Sequence, residues 1–420
     1  MADEVELPSG FTLLARGPGV VEVVEGEVEV FGARIGRGSK LQVPEGRVLP
    51  LEAVADSFLR APTGETVKGS TVPAQWKELA EEALDAGTVM LIGPNDVGKS
   101  SLALYLANAA VRRGRRPAIV DADIGQTDIG PPGTIGLTMP AAPSPTYSGL
   151  ELLNAYFVGD KSPVGHLLPM VVGSQLLVRE ALGMGASPVI VNTTGLVEGS
   201  VGWALKVHKV EALRPDLLVA IDRGSELDHI LRSIPRSIRV RRLRPPEIFR
   251  KDRPGRVRYR TVALAALAAK KVPVELNLRA LRILNARALS VENDGELARR
   301  IEAAIGVRPE VAGRFGEEAV AVFRSRLDQH AFSYVTAILE GAGEPRVVTL
   351  DRLEGLYLGL LDANDRFIGV GRMSELDLRS GTMRGEAVFN AQREVGGVVF
   401  GYLLLDEEWQ EIGSVRSGYF

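Results

Sequence analysis

The residues Gly93-Pro94-Asn95-Asp96-Val97-Gly98-Lys99-Ser100 run as G-x-x-x-x-G-K-S. In that spacing the glycines let the backbone curl, so that successive N–H groups and the amino end of a following helix face phosphate oxygens. Lys99 is placed to reach β and γ phosphates, and the Ser100 hydroxyl is placed to meet Mg²⁺. The candidate ATP-binding set is therefore Gly93, Pro94, Asn95, Asp96, Val97, Gly98, Lys99, Ser100 and the adjoining Ser101. Asp121 and Asp123 close the next apolar run, Pro117-Ala118-Ile119-Val120, at the strand end where ligands of open α/β sheets gather. One carboxylate there can bind a metal through water, and another can take a proton from an acceptor hydroxyl. Ser100, Asp121 and Asp123 are the candidate metal residues. A guanine-specific site would show Asn-Lys-x-Asp after a late strand; here Asn192-Thr193-Thr194-Gly195 stands instead, which favours adenine. His166, His208, His229 and His330 are scattered without H-E-x-x-H spacing and read as surface or core residues.

A phosphate loop needs a strand before it and a helix after it, and the flanking sequence supplies both. Thr88-Val89-Met90-Leu91-Ile92 suits a buried strand. Lys99–Arg113 predicts a helix with Leu102, Leu106 and Ala110 on one face, basic residues in its last turn and Gly114 at its end. Val189-Ile190-Val191 and Leu217–Ile221 predict further strands, with crossover helices over Leu167–Leu182 and Val201–Leu213. This alternation is the signature of an α/β fold with a parallel sheet, here a P-loop NTPase domain. Ahead of it, residues 11–55 alternate with period two between glycines, as a small antiparallel β domain does. Gly and Pro at Pro62-Thr63-Gly64 and Gly69–Pro73 mark the boundary, and a helix from Ala74 to about Ala86 follows. Beyond residue 276 β-like runs return, interrupted by helical patterns at Gly295–Ile305 and Gly316–Arg326. The expected organisation is a β domain over 1–72, a P-loop domain over 73–275 and a mainly β domain over 276–420.

Three domains suit a chain of 420 residues. The absence of cysteine excludes disulfides, thiolate zinc sites and cysteine nucleophiles. An acidic start, Met1-Ala2-Asp3-Glu4-Val5-Glu6, is no secretory signal, and no apolar run nears the ~18 residues of a membrane span. A soluble cytoplasmic protein is expected. The net charge is only −3, but Arg232 to Arg260 holds twelve Arg/Lys against Glu247 and Asp252, a local +10 in 29 residues that leaves −13 elsewhere. Such asymmetry points to an anion-binding surface, although a solvated charged face has the same composition.

Asp121-Ala122-Asp123-Ile124-Gly125-Gln126, followed by Pro132-Gly133-Thr134-Ile135-Gly136 and set beside this P-loop, resembles a known family. It is similar to the polynucleotide 5′-hydroxyl kinases associated with pre-mRNA 3′-end processing, tRNA splicing and pre-rRNA processing, in particular their archaeal members. Gly26-Glu27-Val28-Glu29-Val30-Phe31-Gly32 resembles the signature of that family's amino-terminal β domain. The resemblance implies that Asp123 activates the 5′-hydroxyl beside Gln126. It implies that Lys161-Ser162-Pro163 forms a clasp on the nucleic acid and that Thr193-Thr194-Gly195 contacts it. An arginine-rich lid, about 232–260, would bring Arg250, Arg253 or Arg256 to the transferring phosphoryl group, where guanidinium groups stabilise charge on the equatorial oxygens. Many members carry a base-stacking tryptophan where this chain has Leu196; Trp203, seven residues on, is either a substitute for it or, as the preferred reading, a core residue.

The implied activity is ATP- and Mg²⁺-dependent transfer of the γ-phosphate to the 5′-hydroxyl end of RNA or DNA, in the company of RNA-processing proteins. A nucleotide-bound scaffold of an RNA-processing complex, or an ATPase without an acceptor, are the rival classes.

Overall fold

A computed structural model describes residues 3–246, 253–416 and 418–419, and gives no side chains for 253–257 and 259. The chain divides into two compact units, Met1–Ala263 and Leu264–Phe420.

In the first unit, strands that read as alternating in sequence bury every second residue, as at Val48–Ala53. They form a four-stranded and a five-stranded sheet, antiparallel throughout. Leu13, Val21, Val23, Val28, Leu51 and Leu59 form the core they share. The P-loop domain follows, with strands numbered here within its own sheet. Helix α1 (Ala74–Leu84) leads into β1 (Thr88–Ile92), then α2 (Lys99–Arg112), β2 (Ala118–Ala122), β3 (Thr134–Thr138) and β4 (Asn154–Phe157). Next come α3 (Leu167–Gly183), β5 (Val189–Thr193), α4 (Gly199–Leu213), β6 (Leu217–Ile221), α5 (Asp228–Leu231), β7 (Arg239–Leu243) and α6 (Arg253–Ala268). The sheet order is β4-β3-β2-β5-β1-β6-β7. Strands β2, β5, β1, β6 and β7 are parallel, and β3 and β4 are antiparallel additions at one edge.

The central strands are buried on both faces, so they read as unbroken apolar runs. Their side chains still alternate. Met90 and Ile92 of β1 enter the layer that holds Met170, Leu177, Leu205 and Val210. Val89 and Leu91 enter the layer of Trp76, Leu79, Leu102 and Leu106. Each such side chain contributes about 1.5–3 kcal/mol on burial, and together they fix the strand ends from which the site is built.

The first half of the arginine-rich segment does not form the expected lid. It contains β7, an edge strand, where Arg241 meets Glu78 and Glu82 and Arg242 meets Asp222 and Asp228. These arginines are tied into the sheet edge. Arg250 lies outside the described residues; Arg253 and Arg256 lie in α6, but their side chains do not belong to the description.

In the second unit, Leu264–Phe420, a seven-stranded sheet accompanies a three-stranded one. The helix expected at Gly295–Ile305 is present, with Asp294 accepting from the N–H groups of Glu296 and Leu297 as its cap. The helix expected over Gly316–Arg326 is not: Glu318–Phe323 is a strand whose last five residues are buried. Glu and Ala there suggest helix, but pairing on both sides with Val311–Phe315 and Glu344–Thr349 overrides local propensity. The second helix of this unit is Gln329–Glu340, capped by Asp328. Among the described residues no helix is long and apolar enough to cross a membrane.

Candidate active site

Residues 93–98 join β1 to α2, with Asp96 at φ +58° and Gly98 at φ +88°. The second of these left-handed turns aims the loop into the first turn of α2, and glycine takes it without strain. Lys99 is 6% exposed and curls back, its Nζ donating to Gly93 O at 2.9 Å and Pro94 O at 2.7 Å. Burial lowers its pKa to about 8, against the opposing pull of Asp123 and Asp96.

The two aspartates expected at the end of β2 have different surroundings. Asp121, 1% exposed, accepts three hydrogen bonds: Asn192 Nδ2 at 2.9 Å and Asp123 N at 3.3 Å on Oδ1, Asp128 N at 2.7 Å on Oδ2. Asn192 is its register neighbour on β5, and the same Nδ2 donates to Ser100 Oγ at 3.2 Å. The parallel register thus links the P-loop serine to Asp121. Burial, with Asp128 and Asp123 nearby, raises the Asp121 pKa to about 7. Asp123 sits at the surface of a cavity; burial raises its pKa, and Lys99 and Lys206 oppose that rise.

This cavity, about 510 Å³, is lined by Pro94 and Asn95 of the P-loop, by Asp123, Gly125 and Gln126, and by Lys161, Ser162 and Pro163. Thr194, Gly195, Leu196, Glu198 and Arg260 also line it. Most of the residues expected to meet a nucleic acid therefore come together around Asp123. Thr193 does not. It is fully buried, donates to Leu91 O at 2.7 Å and accepts from Lys206 Nζ at 2.9 Å. Trp203 is neither core nor cavity: it is 37% exposed, its Nε1 donating to Ser233 Oγ. Gly195 touches the P-loop so closely that a Cβ would lie 2.0 Å from Asn95 Oδ1 and 2.7 Å from Asn95 N. The loop carrying Lys161 is closed by His166, whose Nε2 lies 2.8 Å from Asp160 Oδ2.

A second cavity, about 280 Å³, adjoins the start of α2. Leu14, Phe31, Val48 and Pro50 of the β domain line it with Trp76, Ser101 and Pro246. Trp76 is 2% exposed, and its indole N–H has no partner among the described residues.

Sequence reasoning missed Arg260 and the two buried lysines of α4. Lys206 and Lys209 are both 0% exposed. Lys206 also donates to Thr194 O at 2.5 Å; burial, then Lys209 and Lys99, push its pKa well below the usual value. Lys209 is pushed to about 7 by burial, with Asp123 opposing. Their spacing on α4 reads as an exposed polar face, and only the packed helix reveals otherwise.

Residues 93–266 match the family of the mRNA cleavage and polyadenylation factor CLP1 P-loop. A polyribonucleotide 5′-hydroxyl-kinase of Methanocaldococcus jannaschii is 27% identical over 335 residues, covering 77% of this chain and 89% of that protein. Another from Thermococcus kodakarensis is 28% identical over 348 residues, covering 78% and 91%. Among solved structures, the wild-type Clp1p–Pcf11p complex aligns with a TM-score of 0.64 at 14% identity, covering 96% of this chain and 97% of that one, and shares its fold.

Proposed function

From a CLP1-family P-loop across residues 93–266, we propose that this protein transfers the γ-phosphate of ATP to the 5′-hydroxyl end of RNA. The observation that carries the reading is the cavity on Asp123: P-loop residues, a half-buried carboxylate and the Lys161–Pro163 loop share one space. A phosphoryl donor and a hydroxyl acceptor can meet there, with a base beside the acceptor.

The triphosphate lies along Gly93–Ser101, and Lys99 turns from the loop carbonyls to the β and γ oxygens. The adenine base enters the apolar cavity between the β domain and α2, where the Trp76 N–H offers a donor to a ring nitrogen. Ser100 and Asp121, both oxygen donors joined through Asn192, suit a hard cation. Mg²⁺ held there would supply neutralisation of charge on the β and γ phosphates. Asp123 takes the proton of the 5′-hydroxyl and would be a third oxygen donor available to the cation. Gln126, Lys161, Ser162, Pro163, Thr194 and Gly195 hold the RNA end, and Thr193 acts from behind through Lys206. Arg250, Arg253 and Arg256 of the lid bring guanidinium groups to the transferring phosphoryl oxygens.

The close approach of Gly195 to Asn95 makes a sharp test of how the acceptor loop and P-loop fit together. In Gly195→Ala the new methyl group must displace backbone as well as the Asn95 side chain. Overpacking of this kind costs about 1–3 kcal/mol, so calorimetry should show ATP binding weakened by roughly 5- to 100-fold. Unchanged ATP affinity in the folded variant would mean that the two loops are not held in register.

The kinase reading requires ADP formation to depend on acceptor ends. A 5′-hydroxyl oligoribonucleotide should drive ADP release in equal amount to the ends supplied, and the same oligonucleotide with a 5′-phosphate should not. ATP bound without turnover would favour the scaffold class, and turnover indifferent to RNA would favour a plain ATPase. A protein partner belongs to the same reading, since the structural neighbour was solved as a Clp1p–Pcf11p complex.

A further inference from the structure

The second unit, Leu264–Phe420, holds a cavity that the kinase reading does not use, about 930 Å³ in volume. Four arginines line it from four separate stretches of chain. Arg326 follows the strand Glu318–Phe323, and Arg352 sits in the 3-10 turn Leu350–Leu353. Arg372 belongs to the strand Phe367–Asp377, and Arg416 lies just past the strand Glu411–Ser414. Several other arginines of this unit are paired: Arg346 meets Glu318, Arg379 meets Glu310, Arg384 meets Glu275 and Arg393 meets Asp362. Among the described residues, none of the four cavity arginines forms an ion pair.

Arg372 makes this more than a charged surface. It is only 7% exposed, and its Nε donates to Leu405 O at 2.9 Å. Its register neighbour Glu386 holds Lys271 Nζ at 2.9 Å instead. A guanidinium this deep, without a carboxylate in contact, is costly, and an anion that reaches it offsets the cost. The carboxylates lining the cavity do not take that place. Asp351 Oδ2 accepts from Arg326 N at 2.9 Å, and Asp406 Oδ1 accepts from Glu408 N and Gln410 N. Glu354 and Glu407 are exposed, as are Arg326, Arg352 and Arg416. The floor is therefore cationic, and the rim carries both signs.

We propose that this cavity is a second nucleotide site, which takes one phosphorylated nucleotide unit, free or within single-stranded RNA, with its phosphate on Arg372. The phosphate meets the two terminal nitrogens of the guanidinium, since Nε is engaged, and Arg352 and Arg416 add charge from the rim. The rim carboxylates accept from ribose hydroxyls and base amino groups. Tyr419, whose hydroxyl accepts from Thr349 N at 3.2 Å, also lines the cavity, with the Arg352 guanidinium 6.0 Å from its ring centre. Aromatic and guanidinium faces of this kind stack on bases. The volume falls within the range of about 300–1,000 Å³ that small ligands occupy. An acidic peptide suits the cavity less well, because its carboxylates would meet those of the rim. The inference does not depend on the kinase reading.

Hydrogen exchange of the full chain, with ADP and Mg²⁺ in excess, tests the site by its position. The probes are uridine 5′-monophosphate, a 5′-phosphorylated oligouridylate, uridine, inorganic phosphate and polyglutamate. The first two should slow exchange at Leu350–Leu353 and Glu411–Ser414, and uridine should not. Protection by the monophosphate alone marks a free nucleotide, and protection by the oligouridylate alone marks an RNA chain; either supports the site. Arg372→Met should weaken binding at these segments by roughly 10- to 100-fold, the scale of one charge-assisted phosphate contact, and leave ATP affinity unchanged. Equal protection by inorganic phosphate would reduce the cavity to a simple anion site, and stronger protection by polyglutamate would make it a peptide site. Either result overturns the proposal, as does protection by none of the probes or protection that survives in Arg372→Met. If Arg372→Met does not fold, the double variant Arg352→Gln/Arg416→Gln, at exposed positions, carries the test, and unchanged affinity there contradicts the proposal. No readout involves phosphoryl transfer, so failure of the kinase reading leaves the test intact.

Discussion

Lys99→Ala should abolish phosphoryl transfer, by at least roughly 10³-fold, the scale for losing a preorganised charge at a developing anion. The side chain is nearly inaccessible, so no solvent cation replaces it easily. Its ammonium rests on two loop carbonyls, Gly93 O and Pro94 O, which locate it at the loop that would enclose the phosphates. Burial already brings its pKa to about 8, and an arriving polyphosphate restores the charged form by direct attraction. Ala removes both the charge and the brace across the loop. Arg is no substitute, because its longer, planar head cannot occupy the space beneath the two carbonyls. Single-turnover transfer together with a thermal melt makes the measurement. A folded Lys99→Ala protein with near-normal transfer would remove this loop from the chemistry.

Asp123→Asn should separate chemistry from binding. Asn keeps the size of Asp and can still hydrogen-bond, but it cannot accept a proton at neutral pH. If the carboxylate is the base, transfer falls by roughly 10²–10⁴-fold, while ATP and RNA affinities change far less. The structure gives a reason to expect that separation. Asp121 and Asn192 hold the Ser100 side of the site through bonds that do not involve the Asp123 side chain. Asp123, in contrast, faces the cavity lined by Gln126 and Lys161–Pro163. If Asp123 acts mainly on the metal, ATP–Mg²⁺ affinity drops instead and added Mg²⁺ restores activity. Because a largely dissociative transfer needs little help from a base, a loss near the lower end still fits. Strong rescue by Mg²⁺ would overturn the base assignment, and wild-type rates would take Asp123 out of the site.

Much of this site is legible in the sequence because its signals are local. The P-loop spacing, the apolar strand before it and the two aspartates at a strand end each occupy a few consecutive residues. The structure places them as the spacing requires. What depends on long-range pairing is not legible. The Asp121–Asn192–Ser100 link exists because β2 and β5 run parallel in one register, 71 residues apart in the chain. Arg239–Leu243 falls in the expected lid, yet parallel pairing of all five residues with β6 makes it a strand. Glu318–Phe323 reads as helix by Glu and Ala, and burial between two strands makes it β. Trp203 reads as core by residue type, but α4 turns it outward while drawing Lys206 and Lys209 inward. Residue type alone does not say which face of a helix is buried when that face carries lysine. The apolar cavity beside Trp76 belongs to the same class, since Leu14 and Phe31 reach it from a separate β domain.

The central claim is that one cavity joins an ATP phosphate loop to a 5′-hydroxyl end. The most direct measurement is label transfer from γ-labelled ATP to a 5′-hydroxyl oligoribonucleotide under single turnover, with Mg²⁺ present. Label should appear at the 5′ end, be removable by a phosphatase and vanish when that end is already phosphorylated. Label released only as inorganic phosphate, or ATP retained intact beside a bound 5′-hydroxyl RNA, would contradict the account.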